Sequence, residues 1–361
     1  MLNIYNLNFE YVAIHVISPK AEGGASAHAV INRNIITLSE EVTDLIKERL
    51  SDALGKPQKT FELAIEDKLS TSFFGLCEEL KDAGKLQFMD NSIRLANRLA
   101  ESQIAENIPG GYFVFIKAKD MNGQRNAYIA LKADISVALS LEMDRIKILN
   151  NLFLTKSTKF YKFGLLYERL DSDYLDHYVE LEYPNDKYCA VLFDEQFRAD
   201  SIPAEYFYKE FLGLSIQYNP KIQSKRFFDF TERFIKQNVE HYDEMNEMMH
   251  VLKNEVQDNT DLKLQPADFA QKYFQNPNHS EVYTKEILPL LPEEIQKDHT
   301  LIKSKLKSIR IEFPNKITIS GNEDSMSSNF MIITNIDELK DLNPKQESYT
   351  IIKIKGKPFK S

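Results

Sequence analysis

Residues able to carry out chemistry are few in this sequence and poorly spaced. Seven histidines stand at positions 15, 28, 177, 241, 250, 279 and 299, and two cysteines at 77 and 189. A zinc site read from sequence needs patterns such as H-x-H, C-x-x-C or H-E-x-x-H, and none occurs. Nucleophilic catalysis needs a Ser or Cys near a His and an orienting acid, and there is no G-x-S-x-G elbow. Gly23-Gly24 and Gly110-Gly111 are isolated pairs that fit neither G-x-x-x-x-G-K-[ST] nor G-x-G-x-x-G, the two patterns that cradle phosphate. Glu66-Asp67-Lys68 matches the E-x-K element of metal-dependent nucleases but lacks an acidic partner on an upstream strand. No catalytic residue, metal ligand or cofactor is therefore expected. Cys77 and Cys189 sit in apolar stretches and read as buried thiols, and His15, amid an apolar strand, as a satisfied core histidine.

Charge is the remaining chemical signal. Lys156, Lys159 and Lys162 interleave with Phe153, Phe160, Tyr161 and Phe163. Lys221, Lys225 and Arg226 open a long helical pattern. Lys303, Lys305, Lys307 and Arg310 place four positive charges in eight residues with no acid between them. Cations beside aromatics suit phosphate contact and base stacking, so these ten residues are the candidate DNA-binding set. The net charge of −9 argues against a generic polyanion binder, because affinity grows with each phosphate neutralised. DNA contact thus requires the clusters to meet on one face.

The elements that must position them are mixed. Residues 11–18 read as a strand, 34–38 as a second, and Thr37-x-x-Glu40 as a capping box for a helix over about 39–54. Amphipathic helices are expected over 69–83 and 88–106. Two strand-like runs around Asn122-Gly123, within 112–131, predict a hairpin. Further strands are expected over 160–167, 177–183 and 188–193. Helices follow at 202–212, 222–255, 266–274 and 281–290, with Phe227, Phe230 and Phe234 on one face. The Met245, Met248 and Met249 group reads as core filling. Strands return at 308–313, 316–320, 330–334 and 349–355. The fold class expected is α+β, with mixed or antiparallel sheets and two domains divided near residue 170. The first is 1–170, and the second, 171–361, is helical over 202–304 and β-rich over 308–355. No charged start precedes an apolar run, and no apolar stretch reaches membrane length. No membrane partner is expected, and the cytoplasm follows by elimination.

Four patches resemble the bacterial nucleoid-associated proteins of the NdpA-like family. They are Val12-Ala13-Ile14-His15-Val16-Ile17; the run from Phe88 through Leu99 into Gly110-Gly111-Tyr112-Phe113-Val114; Tyr206 to Gly213 followed by Ser224 to Phe230; and the closing Tyr349 to Pro358. In the third, Tyr208 stands where the family's F-x-x-F-L-G element has its first Phe. Residues 20–87 and 236–305 depart from the family's pattern. The resemblance implies a non-enzymatic, DNA-associated protein of the cytoplasm and nucleoid, with no catalytic residues to carry over. Two other readings stand beside it. One is an adaptor that reaches the nucleoid through a protein partner, which the negative total favours. The other is a metal-dependent nuclease in phage defence. Oligomeric state is not legible.

Overall fold

The computed structural model describes residues 2–20, 26–121, 125–133, 162–170, 187–198, 203–257, 262–312, 318–322, 330–333 and 351–354; the strands after Lys307 are described by their backbone. The class is α+β. Its centre is an eight-stranded antiparallel sheet in the order β2-β1-β4-β5-β6-β7-β3-β8. The strands are β1 (Leu7–Ser18), β2 (His28–Val30), β3 (Thr60–Ile65), β4 (Gly111–Asp120), β5 (Asn126–Ala133), β6 (Lys162–Glu168), β7 (Tyr188–Asp194) and β8 (Leu214–Ser215).

Alternation along the central strands explains why both faces are covered. On β4, Phe113 and Phe115 point to one side and Val114, Ile116 and Ala118 to the other, all buried. On β5, Tyr128 and Ala130 take the first side and Ala127, Ile129 and Leu131 the second. Strands buried on both faces read as near-continuous apolar runs, which is how 112–118 and 127–131 look in sequence. The first face carries α2 (Phe73–Glu78) and α3 (Lys85–Ser102), whose Phe88, Leu95 and Leu99 are fully buried. The second carries α1 (Glu40–Leu54) through Val42, Ile46 and Leu50. Each such side chain contributes about 1.5–3 kcal/mol by leaving water.

The two strands of the expected hairpin pair, with Val114 opposite Leu131 and Ile116 opposite Ile129; the Asn122-Gly123 turn lies outside the described residues. Other expectations shift. The second strand is β2, not 34–38; that segment joins the sheet through a single bond from the Ile36 N–H to the Val12 carbonyl. The cap of α1 is Ser39, whose hydroxyl accepts the Val42 N–H, so the Thr37 box is not used. The helix expected over 69–83 shrinks to α2. Strand β3 is an addition to the expected elements. The strand expected over 177–183 lies outside the described residues. The sheet takes strands from both sides of residue 170, since β6 pairs with β7 along its length.

His15 lies within β1, 1% exposed. Its Nε2 stands 3.1 Å from Ser92 Oγ on α3, and its Nδ1 accepts the Asn32 N–H at 3.2 Å. An accepting Nδ1 places the proton on Nε2, so the ring is satisfied as a neutral imidazole. Burial lowers its pKa to about 4. An unfolded histidine titrates near 6.5, so between those values the unfolded chain holds a proton that the folded one lacks. Stability is therefore expected to fall as pH drops from about 6.5 to 4, by about 3 kcal/mol from this group. Denaturant titrations of His15→Gln across that window should give a flatter pH profile than the wild type. Parallel profiles would contradict the reading.

The chain then leaves the sheet. Helical spacing predicts one long helix over 222–255, but two are found, α4 (Pro220–Asn238) and α5 (Tyr242–Gln257). Val239 is extended, φ −93° and ψ 109°, and ends the first. The break lets Met248, Leu252 and Val256 of α5 fold back on Phe227, Phe234 and Ile235 of α4; a continuous helix cannot bury its two halves on each other. Met245 and Met249 pack against the same core, as expected of gap-filling methionines. Two short strands follow in this region, β9 (Lys263–Leu264) and β10 (Ile295–Gln296), paired with each other. Around them stand α6 (Pro266–Tyr273), α7 (Pro277–Glu286) and α8 (Lys303–Leu306). The tail holds β11 (Ser308–Glu312) paired with β12 (Thr318–Asn322), and β13 (Phe330–Ile333) paired with β14 (Ile351–Ile354). No helix among the described residues is long and apolar enough to cross a membrane.

Candidate nucleic-acid interface

The ten candidate cations have different fates. Lys162 points inward from β6 and is 2% exposed. Its ammonium donates to Asp194 Oδ1 at 2.7 Å and to Gln196 Oε1 at 2.9 Å. Asp194 is its register partner on β7. A buried, paired ammonium is closed to a phosphate. Lys221 donates to the carbonyls of Pro57 and Thr60 at 3.0 and 3.3 Å, tying the start of α4 to the start of β3. Burial lowers its pKa from the usual lysine value. Lys225 is buried and bonds Asp229 one turn on. Lys156 and Lys159 lie outside the described residues, and Arg310 is placed on β11 by its backbone alone.

The second and third clusters do meet, but through acids. Lys305 on α8 reaches Asp229 at 2.8 Å and Glu232 at 3.1 Å, and its ammonium lies 5.7 Å from the Phe228 ring. Glu232 also takes Lys236 at 3.0 Å. Positions 225, 229, 232 and 236 thus form a neutralised ladder along α4, at the three- and four-residue spacing that lets helix side chains meet. Lys303 and Lys307, on either side of Lys305, are exposed and have no ion pair among the described residues.

Beside the ladder runs a second stripe. Arg226, Phe230 and Arg233 follow at spacings of four and three, so they share one face of α4. The Arg226 guanidinium lies 5.6 Å from the Phe230 ring centroid and that of Arg233 6.0 Å. Phe230 is half-buried and takes no part in the apolar core that holds Phe227 and Phe234, which corrects the expectation that all three share an apolar face. Neither arginine has an ion pair among the described residues. The ring face attracts each guanidinium, a contact of about 0.5–1 kcal/mol at exposed sites, without using up its N–H donors. Sequence reasoning found Arg226 and missed Arg233; the Arg-x₃-Phe-x₂-Arg spacing was the available signal.

At its N-terminal end this stripe borders a cleft lined also by Glu66, Tyr208 and Lys209. Gly213 shapes that border. Its φ is +68°, a left-handed backbone, and its carbonyl accepts the N–H groups of Glu66 and Asp67 at 2.9 and 3.0 Å. A Cβ there would stand 2.6 Å from Asp67 Cβ. Arg98 clamps the same corner, donating to Asp67 Oδ2 at 2.7 Å and to the Phe211 carbonyl at 2.8 Å. Gly213→Ala is expected to lose about 2 kcal/mol or more from left-handed strain plus the clash, read as a lower urea midpoint. An unchanged midpoint would contradict it.

Glu66 and Lys68, the weak nuclease match, are both exposed just beyond β3. Among the described residues no group of three or more His, Cys, Asp or Glu side chains stands close enough to hold a metal.

No curated protein matches the chain. Residues 13–355 match the family model described as nucleoid-associated protein YejK, which spans nearly the whole length, and the chain belongs to that family.

Proposed function

We propose that this chain is a non-enzymatic DNA-binding protein of the nucleoid that grips backbone phosphates with little base specificity. The observation that carries the proposal is the Arg226–Phe230–Arg233 stripe: two guanidinium groups beside one ring, with no ion pair to an acid among the described residues. Family membership supports the nucleoid setting. Exposed Lys209, Lys303 and Lys307 add positive charge with no acid partner among the described residues, and Lys156, Lys159 and Arg310 are retained in the proposed contact set. Lys162, Lys221, Lys225 and Lys305 serve packing and helix pairing through the bonds described above. Base-independent contact follows from the chemistry, because phosphate contacts position a protein on DNA without reading sequence.

The test is binding to a fluorescent duplex by anisotropy over a salt series. The proposal expects log affinity to fall linearly with log salt, by about 0.9 per phosphate contacted. Salt-independent binding, or none at low salt, would overturn it.

The net charge of −9 favours a second reading, an adaptor that joins DNA through a protein partner. Pull-downs with and without nuclease separate the two: a partner retained after DNA is destroyed, with no duplex binding by the pure chain, supports the adaptor.

A further inference from the structure

One border of the sheet is covered by a segment that has no core of its own. Residues 26–38 run from β2 through Asn32 to Ile36 along the outer edge of β1, and none of their side chains is fully buried. Ala29, Ile31 and Ile35 rest half-buried on the core beneath α3. The backbone ties to β1 include the β2 pairing, from Val16 opposite Val30 to Ser18 opposite His28, and the bond from the Ile36 N–H to the Val12 carbonyl. An edge segment with few buried apolar contacts opens at a lower free energy than the strands behind it.

Two histidines fasten this strap, and protonation affects them differently. Ser18 Oγ donates to the His28 carbonyl at 2.9 Å, so it accepts the Nδ1–H of His28 at 2.8 Å. A further proton on the exposed His28 ring goes to Nε2 and leaves both bonds in place. At His15 the tautomer is the other one. Ser92 Oγ gives its proton to the Met89 carbonyl at 2.7 Å, so it accepts the Nε2–H of His15. That leaves Nδ1 as the acceptor of the Asn32 N–H, and Ser92 fixes this independently of Asn32. A second ring proton has to go to Nδ1, where it meets another donor in place of an acceptor. It also puts a cation where water does not reach. Ser92 of α3, Phe113 of β4 and the Asn32 backbone face the ring, and none is charged. Asp90 and Arg94, on either side of Ser92, and Arg33, next to Asn32, are exposed. Burial alone lowers the His15 pKa.

We propose that residues 26–38 form an acid-released strap: protonation of His15 detaches them from β1 and uncovers that strand's outer edge while the rest of the sheet stays folded. Opening brings the imidazolium to water and parts its Nδ1–H from the Asn32 N–H. The uncovered edge presents backbone N–H and C=O groups, the kind of row that pairs with a further extended segment. The loss of stability expected of His15 at low pH is thereby felt first in the strap. The device is independent of DNA contact, because neither His15 nor the strap belongs to the α4 stripe.

The test is native-state hydrogen exchange of the full chain, read on peptides by mass spectrometry and corrected for the intrinsic pH dependence of exchange. Between about pH 7.5 and 4.5, protection of the strap is expected to fall on the order of fiftyfold. That ratio follows from a ring that titrates near 6.5 when released and about 4 when held. Exchange of the strap should be indifferent to about 1 M urea, whereas exchange of the β4 and β5 peptides should quicken with it, because only the latter needs global unfolding. His28→Gln should keep the pH dependence, and His15→Gln, whose folding is checked by its urea midpoint, should lose it. The wild type decides alone if that variant fails to fold. Strap protection that does not change with pH, or strap and β4–β5 peptides exchanging together with one urea slope, overturns the proposal. So does pH dependence that survives in a folded His15→Gln or disappears in His28→Gln.

Discussion

Asp194→Ala is expected to destabilise the chain by about 3–5 kcal/mol, the range for breaking a buried ion pair from one side. Asp194 and Lys162 are each about 2% exposed. The carboxylate accepts the Lys162 ammonium at 2.7 Å, the Gln196 N–H at 3.0 Å and the Ala204 N–H at 3.1 Å. Removing it leaves an ammonium in the sheet interior with Gln196 Oε1 as its remaining acceptor among the described residues, and strips two backbone donors of their acceptor. The double variant Lys162→Met/Asp194→Leu should recover part of the loss, because it removes both charges together. Recovery stays incomplete, since the two N–H groups remain unpaired. Urea midpoints give the ordering: wild type, then the double variant, then Asp194→Ala. Equal midpoints for wild type and Asp194→Ala would show that Lys162 reaches solvent, and would return it to the pool available for phosphate.

The second large effect is on binding. Arg226→Ala/Arg233→Ala removes both guanidinium groups of the stripe without touching the apolar core of α4. At roughly 1.5 kcal/mol for each charge-assisted contact, duplex affinity at low salt is expected to drop on the order of a hundredfold. Lys236→Ala and Lys305→Ala on the adjacent ladder remove the same formal charge but cations already matched by Glu232 and Asp229. Their expected effect is under about threefold, in keeping with the small energy of surface ion pairs. If ladder and stripe variants weaken binding equally, net charge governs association and the stripe has no special role.

Local patterns in the sequence are reliable where one element carries the whole signal. The strand pair within 112–131, the helix expected over 88–106 and found over 85–102, and the buried His15 each follow from alternation or periodicity over a single run. Partners far away in sequence are not visible. Lys162 reads as one cation among aromatics, and nothing within its segment announces Asp194, 32 residues on. The run from Phe163 to Tyr167 is apolar without alternation, as suits a sheet covered on both faces, and Lys162 at its start is buried with it. Lys305 looks like part of an acid-free basic run, which it is in sequence; its acids, Asp229 and Glu232, come from α4, more than 70 residues earlier. The 222–255 pattern keeps helical spacing through Val239 because both helices present apolar residues to the same core, so periodicity alone shows no break. Phe230 differs from Phe227 and Phe234 by its place at the margin of the apolar stripe, where two neighbouring arginines cover it. The cleft is not legible at all, since it joins β8, α4 and the 289–292 segment.

Whether a chain this acidic touches DNA itself comes down to how the salt dependence of duplex binding changes when the stripe is removed. The slope of log affinity against log salt should be shallower by about 2 in Arg226→Ala/Arg233→Ala than in the wild type, about one for each arginine taken off a phosphate. A double variant that binds with the wild-type slope would contradict direct contact through the stripe, because the arginines would then face no phosphate.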